Sequence, residues 1–118
     1  MIPNRPVANS RSTHQLRQDL RVPASILVNV TLDNGRAVFG KGEDLSLNGA
    51  KLRLSLCLAF GSLLTLDFPN HQLTLKATCR WSVPHDWTVG SYLTGMSFIE
   101  INPQQYAQLR QILFDLTG

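Results

Sequence analysis

Asp44, Ser46 and Gly49 stand close together in the stretch EDLSLNGAKLRL, and Arg17 and Arg21 stand four residues apart upstream, in LRQDLRVPA. A carboxylate has two acceptor oxygens and can take paired N–H bonds from the edge of a guanine ring, while a hydroxyl beside it both donates and accepts. In an extended segment Asp44 and Ser46 share parity, so both side chains are expected on one face. Gly49 permits close backbone approach to a ligand, or a positive φ angle. The two arginines offer planar forks suited to phosphate oxygens and purine-edge acceptors, and faces that stack on a ring. Together these five would hold a ligand with guanine edges and phosphates. Each also has a plainer use: Asp44 and Ser46 in an Asx-type turn, Asn48-Gly49 as a turn without a ligand, the arginines as surface cations.

Groupings for a reaction are thin. His14, His71 and His85 lie far apart and show no close His/Cys spacing of a metal site. His85-Asp86 reads as a solvated turn. Ser46 is not set in a G-x-S-x-G elbow, and no histidine is placed to activate it. There is no P-loop and no G-x-G-x-x-G. The reading is a binding protein, not an enzyme, with no cofactor and no metal.

The elements that must position these groups follow from periodicity. Over residues 24–33, Ile26, Val28, Val30 and Leu32 alternate with Leu27, Asn29, Thr31 and Asp33, the period of a strand with one buried face. Asn34-Gly35 then gives a hairpin signal. A second strand runs through residues 37–44, with Gly40 and Gly42 marking a bulge or bend. Strands three, four, five and six are expected over 50–54, 63–68, 72–81 and 92–101. In the fifth, Leu73, Leu75, Ala77, Cys79 and Trp81 share the inward parity and Arg80 points outward. Six short strands joined by tight turns predict an all-β fold, an antiparallel barrel or a strongly curled sheet. The period then changes. Asn102 is a good N-cap and Pro103 a good first helical residue. Tyr106, Leu109, Ile112, Leu113 and Leu116 mark one apolar face of a C-terminal helix, with Gln105, Gln108 and Gln111 facing away.

At 118 residues, 43% hydrophobic and 16% charged, the chain reads as one globular domain with a proper core, after a flexible lead-in over residues 1–15. No apolar run is long enough to cross a bilayer, no secretory leader is visible, and no direct membrane insertion is expected. Cys57 and Cys79 are expected to be two buried free thiols. The net charge is +3, and all of the excess sits in residues 1–21, where Arg5, Arg11, Arg17 and Arg21 face Asp19 alone. A basic arm invites a phosphate-bearing partner. A nucleic-acid-binding barrel is the contrasting reading, but it would want basic and aromatic residues interleaved on one exposed face. Here the aromatics fall mostly at core parity and the rest of the chain is electrically neutral, so no DNA is expected. The LCLAFG turn, with Phe60, is either a partner contact or a core corner.

RQDLR (Arg17 to Arg21) fits R-x-x-x-R and DLSLNG (Asp44 to Gly49) fits [D/N]-x-S-x-x-G, in that order, with a strand and hairpin between. With GMSF in the last strand and the closing helix, residues 16–118 resemble a PilZ domain, the bacterial receptor module for cyclic di-GMP. The resemblance implies a six-stranded antiparallel β-barrel of the split-barrel form with a C-terminal α-helix. It implies that Arg17 and Arg21 grip phosphates and guanines from a loop that wraps the ligand. Asp44 and Ser46 would contact a guanine, and Gly49 would permit the approach, with secondary contacts at Leu16, Gln18, Asn48 and Arg80. The family often carries a further arginine beside R-x-x-x-R, which favours an intercalated ligand dimer. Leu16 and Gln18 stand there instead, so one cyclic di-GMP per chain is expected, although Arg11 leaves room for two. The resemblance further implies a cytoplasmic receptor, or the cytoplasmic part of a membrane-associated complex. It would signal to a protein partner or fused domain in exopolysaccharide or cellulose synthesis, motility or pili. QLRQDLRVPASI is similar in style to the PilZ domain of bacterial cellulose synthases. A PilZ-like adaptor that binds no ligand is the remaining alternative.

Overall fold

The computed structural model describes residues 20–85 and 89–117. Among these residues seven strands and one α-helix follow in order, with a single 3-10 turn at Pro69–His71: β1 Val22–Pro23, β2 Leu27–Leu32, β3 Ala37–Leu45, β4 Gly49–Leu54, β5 Leu63–Phe68, β6 Leu73–Pro84, β7 Tyr92–Ile99 and α1 Pro103–Thr117. Every pairing is antiparallel, and the order β3-β2-β5-β6-β7-β4 closes on itself through β3–β4. The result is the expected six-stranded barrel, with no free sheet edge on the ring. The short β1 is additional, and was not legible as a strand. It pairs Val22 with Leu45 and Pro23 with Asp44. Pro23 cannot donate to a ladder, and the chain kinks after it, the Ile26 amide donating to the Ala24 carbonyl at 2.9 Å before β2 begins.

Alternation locates the core where it was expected. Val28 and Val30 on β2, Leu64, Leu66 and Phe68 on β5, and Leu73, Leu75, Ala77 and Cys79 on β6 are all buried. Leu52, Leu54 and Met96 meet them from β4 and β7, and Leu109 and Ile112 of α1 join the same cluster. Fully burying each large aliphatic side chain contributes about 1.5–3 kcal/mol. The β2–β3 hairpin turns at Asn34-Gly35, where Gly35 has φ 88° and the Arg36 amide donates to Asn34 Oδ1 at 2.9 Å.

The helix begins as its sequence indicates. Asn102 Oδ1 accepts from the Gln105 amide at 2.7 Å, and Gln105 Oε1 accepts from the Asn102 amide at 2.9 Å, a reciprocal cap. Gln105 and Gln108 do not face away as expected. Their Nε2 groups donate to the backbone carbonyls of Thr74 (2.7 Å) and Gln72 (3.4 Å), fastening the first turns of α1 to the start of β6. Long amide side chains at the margin of an apolar face reach backbone acceptors that helical periodicity alone does not reveal.

The two cysteines are both free but differ, against the expectation of two buried thiols: Cys79 is buried and Cys57 exposed. Burial pushes the Cys79 thiol above its ordinary pKa, so it is both shielded and protonated at neutral pH. A disulfide reagent at neutral pH is therefore expected to label Cys57 promptly and Cys79 only after denaturation. Prompt labelling of both thiols in the native protein would contradict this packing.

Candidate functional site

The turn between β3 and β4 is built around Ser46. Its Oγ accepts from the amides of Asn48 (3.2 Å) and Gly49 (3.1 Å) and donates to the Gly49 carbonyl (3.2 Å), while its own amide donates to the same carbonyl at 2.9 Å. The turn is tied to β7 by the Phe98 amide, which donates to the Asn48 carbonyl at 2.9 Å. Ser46 is 2% exposed, and Asn48 is exposed at the tip. The expectation that Asp44 and Ser46 share a face therefore fails. The strand ends at Leu45 and the chain turns inward there, so period-2 counting no longer applies. Gly49 does not use a positive φ. It is a glycine because β4 passes so close to β7 that a methyl group at this position would overlap the Met96 carbonyl oxygen.

Arg21 reaches Asp44 because β1 docks on the end of β3. The register that sets Pro23 opposite Asp44 brings Arg21 Nη1 to 2.9 Å from Asp44 Oδ1. On the other side, the β3–β4 register pairs Asp44 with Lys51, whose Nζ lies 3.3 Å from Oδ2. Both carboxylate oxygens are thus held by cations. The Arg21 side chain is 55% exposed and that of Asp44 15%.

The third side of the site comes from a fault in the ladder. Cys79 pairs with Met96 but Trp81 with Gly95, leaving Arg80 as the extra residue of a β-bulge. The bulge reverses the facing of everything after it. Trp81, expected in the core, is 42% exposed on the outer surface, its indole lying against Gly95 so closely that a methyl group there would overlap the ring. Arg21, Lys51, Arg80, Trp81, Gly95 and Ser97 line a cleft of about 160 Å³. Three cations against the single carboxylate of Asp44 leave two positive charges in excess, beside an exposed aromatic face. Such a cleft suits an anion that carries a flat ring. A larger hollow of about 490 Å³, bounded by Leu32, Asp33, Leu58 and Leu64, has no basic side chain to attract one.

The structure therefore brings Arg21, Asp44 and Arg80 to one place, with Ser46 and Gly49 shaping the turn beside them. Arg17, Leu16, Gln18 and Arg11 lie outside the described residues. Lys51, Trp81 and Gly95 also line this cleft, although sequence reading gave Lys51 and Gly95 no part in it and set Trp81 in the core. Lys51 was within reach: a hairpin pairing Leu45 with Ala50 must set Asp44 against Lys51. Trp81 had no such signal, because a bulge does not show in alternation. The neutrality of the chain beyond residue 21 also conceals a local excess, since Lys51 and Arg80 gather here against Asp44 alone.

No curated protein matches the chain. Among solved structures it is similar to the PilZ domain with c-di-GMP of YcgR from Escherichia coli (18% identity, TM-score 0.68, covering 83% of this chain and 88% of that one). It is also similar to the PilZ domain of CeSA from a cellulose synthesizing bacterium (25% identity, TM-score 0.63, covering 83% and 98%). A third likeness, to the MrkH–c-di-GMP complex of K. pneumonia, has 17% identity and TM-score 0.65, and covers 79% of this chain and 47% of that one. The family model for the PilZ domain matches residues 15–115, nearly the whole length, and the closed barrel with its terminal helix agrees with it: the chain belongs to the PilZ domain family.

Proposed function

We propose that this PilZ domain is a receptor for cyclic di-GMP, bound at the cleft between β1, the β3–β4 turn and the β6 bulge. One observation carries the reading. Arg21 and Asp44, contributed by two motifs 23 residues apart, form an ion pair at 2.9 Å on the rim of a cleft that also holds Lys51, Arg80 and Trp81. The two excess positive charges match the two phosphates of the ligand, and Trp81 offers a face for a guanine. YcgR and MrkH, which share this fold, have structures in complex with c-di-GMP, which supports the same ligand class here.

In this reading Asp44 accepts guanine N–H groups only by releasing one of its two cations, and the ligand phosphates take that cation over. Ser46 and Gly49 act by holding the turn, not by donating to the ligand. Ligand binding orders the segment that carries Arg17 against the cleft, and a cytoplasmic protein partner or fused domain reads the altered surface. The likeness to a cellulose-synthase PilZ domain supports a polysaccharide synthase as one such partner.

The test is a calorimetric titration with cyclic di-GMP, with cyclic di-AMP and GTP as controls. Saturable binding near one ligand per chain, much tighter than for either control, is expected. Equal affinity for cyclic di-AMP would remove the guanine contact at Asp44. No binding would leave the adaptor reading.

A further inference from the structure

We infer that Phe60 is a positioning residue for this site: its ring holds the Arg80 guanidinium at the rim of the cleft. The inference rests on the receptor reading above and adds to it a residue outside both motifs. Arg80 is the unpaired residue of the β6 bulge, so no cross-strand neighbour in the ladder fixes its direction. It lines the cleft while its Cζ lies 5.6 Å from the centre of the Phe60 ring. The other two cations of the cleft share Asp44, whereas no acidic side chain among the described residues forms an ion pair with Arg80.

The chemistry of the prop matters. An exposed arginine samples many rotamers, and the freedom it loses on gripping a ligand weakens binding. A carboxylate would fix it but neutralise its charge and occupy its donors. An aromatic face fixes it through the flat side of the guanidinium and leaves the in-plane N–H groups for a phosphate or a purine acceptor. Phe60 is 75% exposed, so the ring is not held there by the core. The backbone that carries it is nonetheless tightly placed. The Gly61 amide donates to the Cys79 carbonyl at 2.7 Å, the Cys79 amide to the Ser62 carbonyl at 3.0 Å, and the Leu58 amide to Ser82 Oγ at 3.2 Å. These bonds anchor the β4–β5 connection to the two sides of the bulge, so ring and guanidinium are carried by one rigid unit.

The experiment is a titration of cyclic di-GMP into the wild-type chain, Phe60→Ala, Phe60→Tyr, Arg80→Ala and the double variant Phe60→Ala/Arg80→Ala. Phe60→Ala is expected to weaken binding by about two- to fivefold, the scale of an exposed cation–π contact. Phe60→Tyr keeps the aromatic face and should bind as the wild type does. In the Arg80→Ala background, removing Phe60 should change nothing further. A Phe60→Ala chain that binds as tightly as wild type, or that loses the same factor with Arg80 absent, overturns the inference while the receptor reading stands. A wild-type chain that shows no binding overturns both.

Discussion

Arg21→Ala is expected to weaken cyclic di-GMP binding by about 10- to 150-fold, equivalent to about 1.5–3 kcal/mol for a lost charge-assisted contact. The structure separates this loss from any loss of folding. Arg21 sits with its side chain 55% exposed, and its partner, the Asp44 carboxylate, keeps a second cation in Lys51. An exposed ion pair of this kind contributes about 0–1 kcal/mol to stability, and salt screens it further. Thermal melting of the variant should therefore stay close to wild type while calorimetry records the loss of affinity. Arg21→Lys is the informative companion. It retains the charge but not the planar fork, so a large loss there too would show that paired hydrogen bonding, not attraction alone, is what Arg21 supplies. An unchanged affinity in Arg21→Ala would take that residue out of the site.

Gly49→Ala is expected to destabilise the fold by about 1–3 kcal/mol, the usual cost of forcing extra volume into a packed place. The upper part of that range applies, because the atom in the way is the Met96 carbonyl oxygen, part of the backbone of β7. Gly49 pairs with Ser97 and its amide and carbonyl both bond to Ser46, so neither strand can yield without disturbing the turn. Urea unfolding followed by circular dichroism measures this as a lowered midpoint at unchanged slope. Gly95→Ala provides the contrast. There the obstructing group is the Trp81 indole, a half-exposed side chain that can rotate away, so stability should fall less while the Trp81 fluorescence shifts. A Gly49→Ala chain as stable as wild type would show that the close β4–β7 approach does not require the glycine.

These two glycines show how differently sequence and structure speak about one residue type. Within DLSLNG, Gly49 had a ready explanation in ligand approach or turn geometry. The packing adds a reason independent of any ligand, the passage of β4 against β7. Gly95 had no assigned role, yet it is the floor on which Trp81 lies.

Strand alternation in β2 and β6, the Asn34-Gly35 hairpin and the Asn102 cap were all determined by the chain itself, because each depends on residues within a few positions of one another. The two motifs also named Arg21 and Asp44 in advance. Their meeting depended on β1, a two-residue strand too short to leave a periodic trace. The outward turn of Trp81, the inward turn of Ser46 and the reach of Gln105 and Gln108 were decided by tertiary structure. Each arises where a local period is broken, by a bulge, a strand end or a distant acceptor. Alternation assigns faces only while the ladder keeps step, and the cleft lies where it does not.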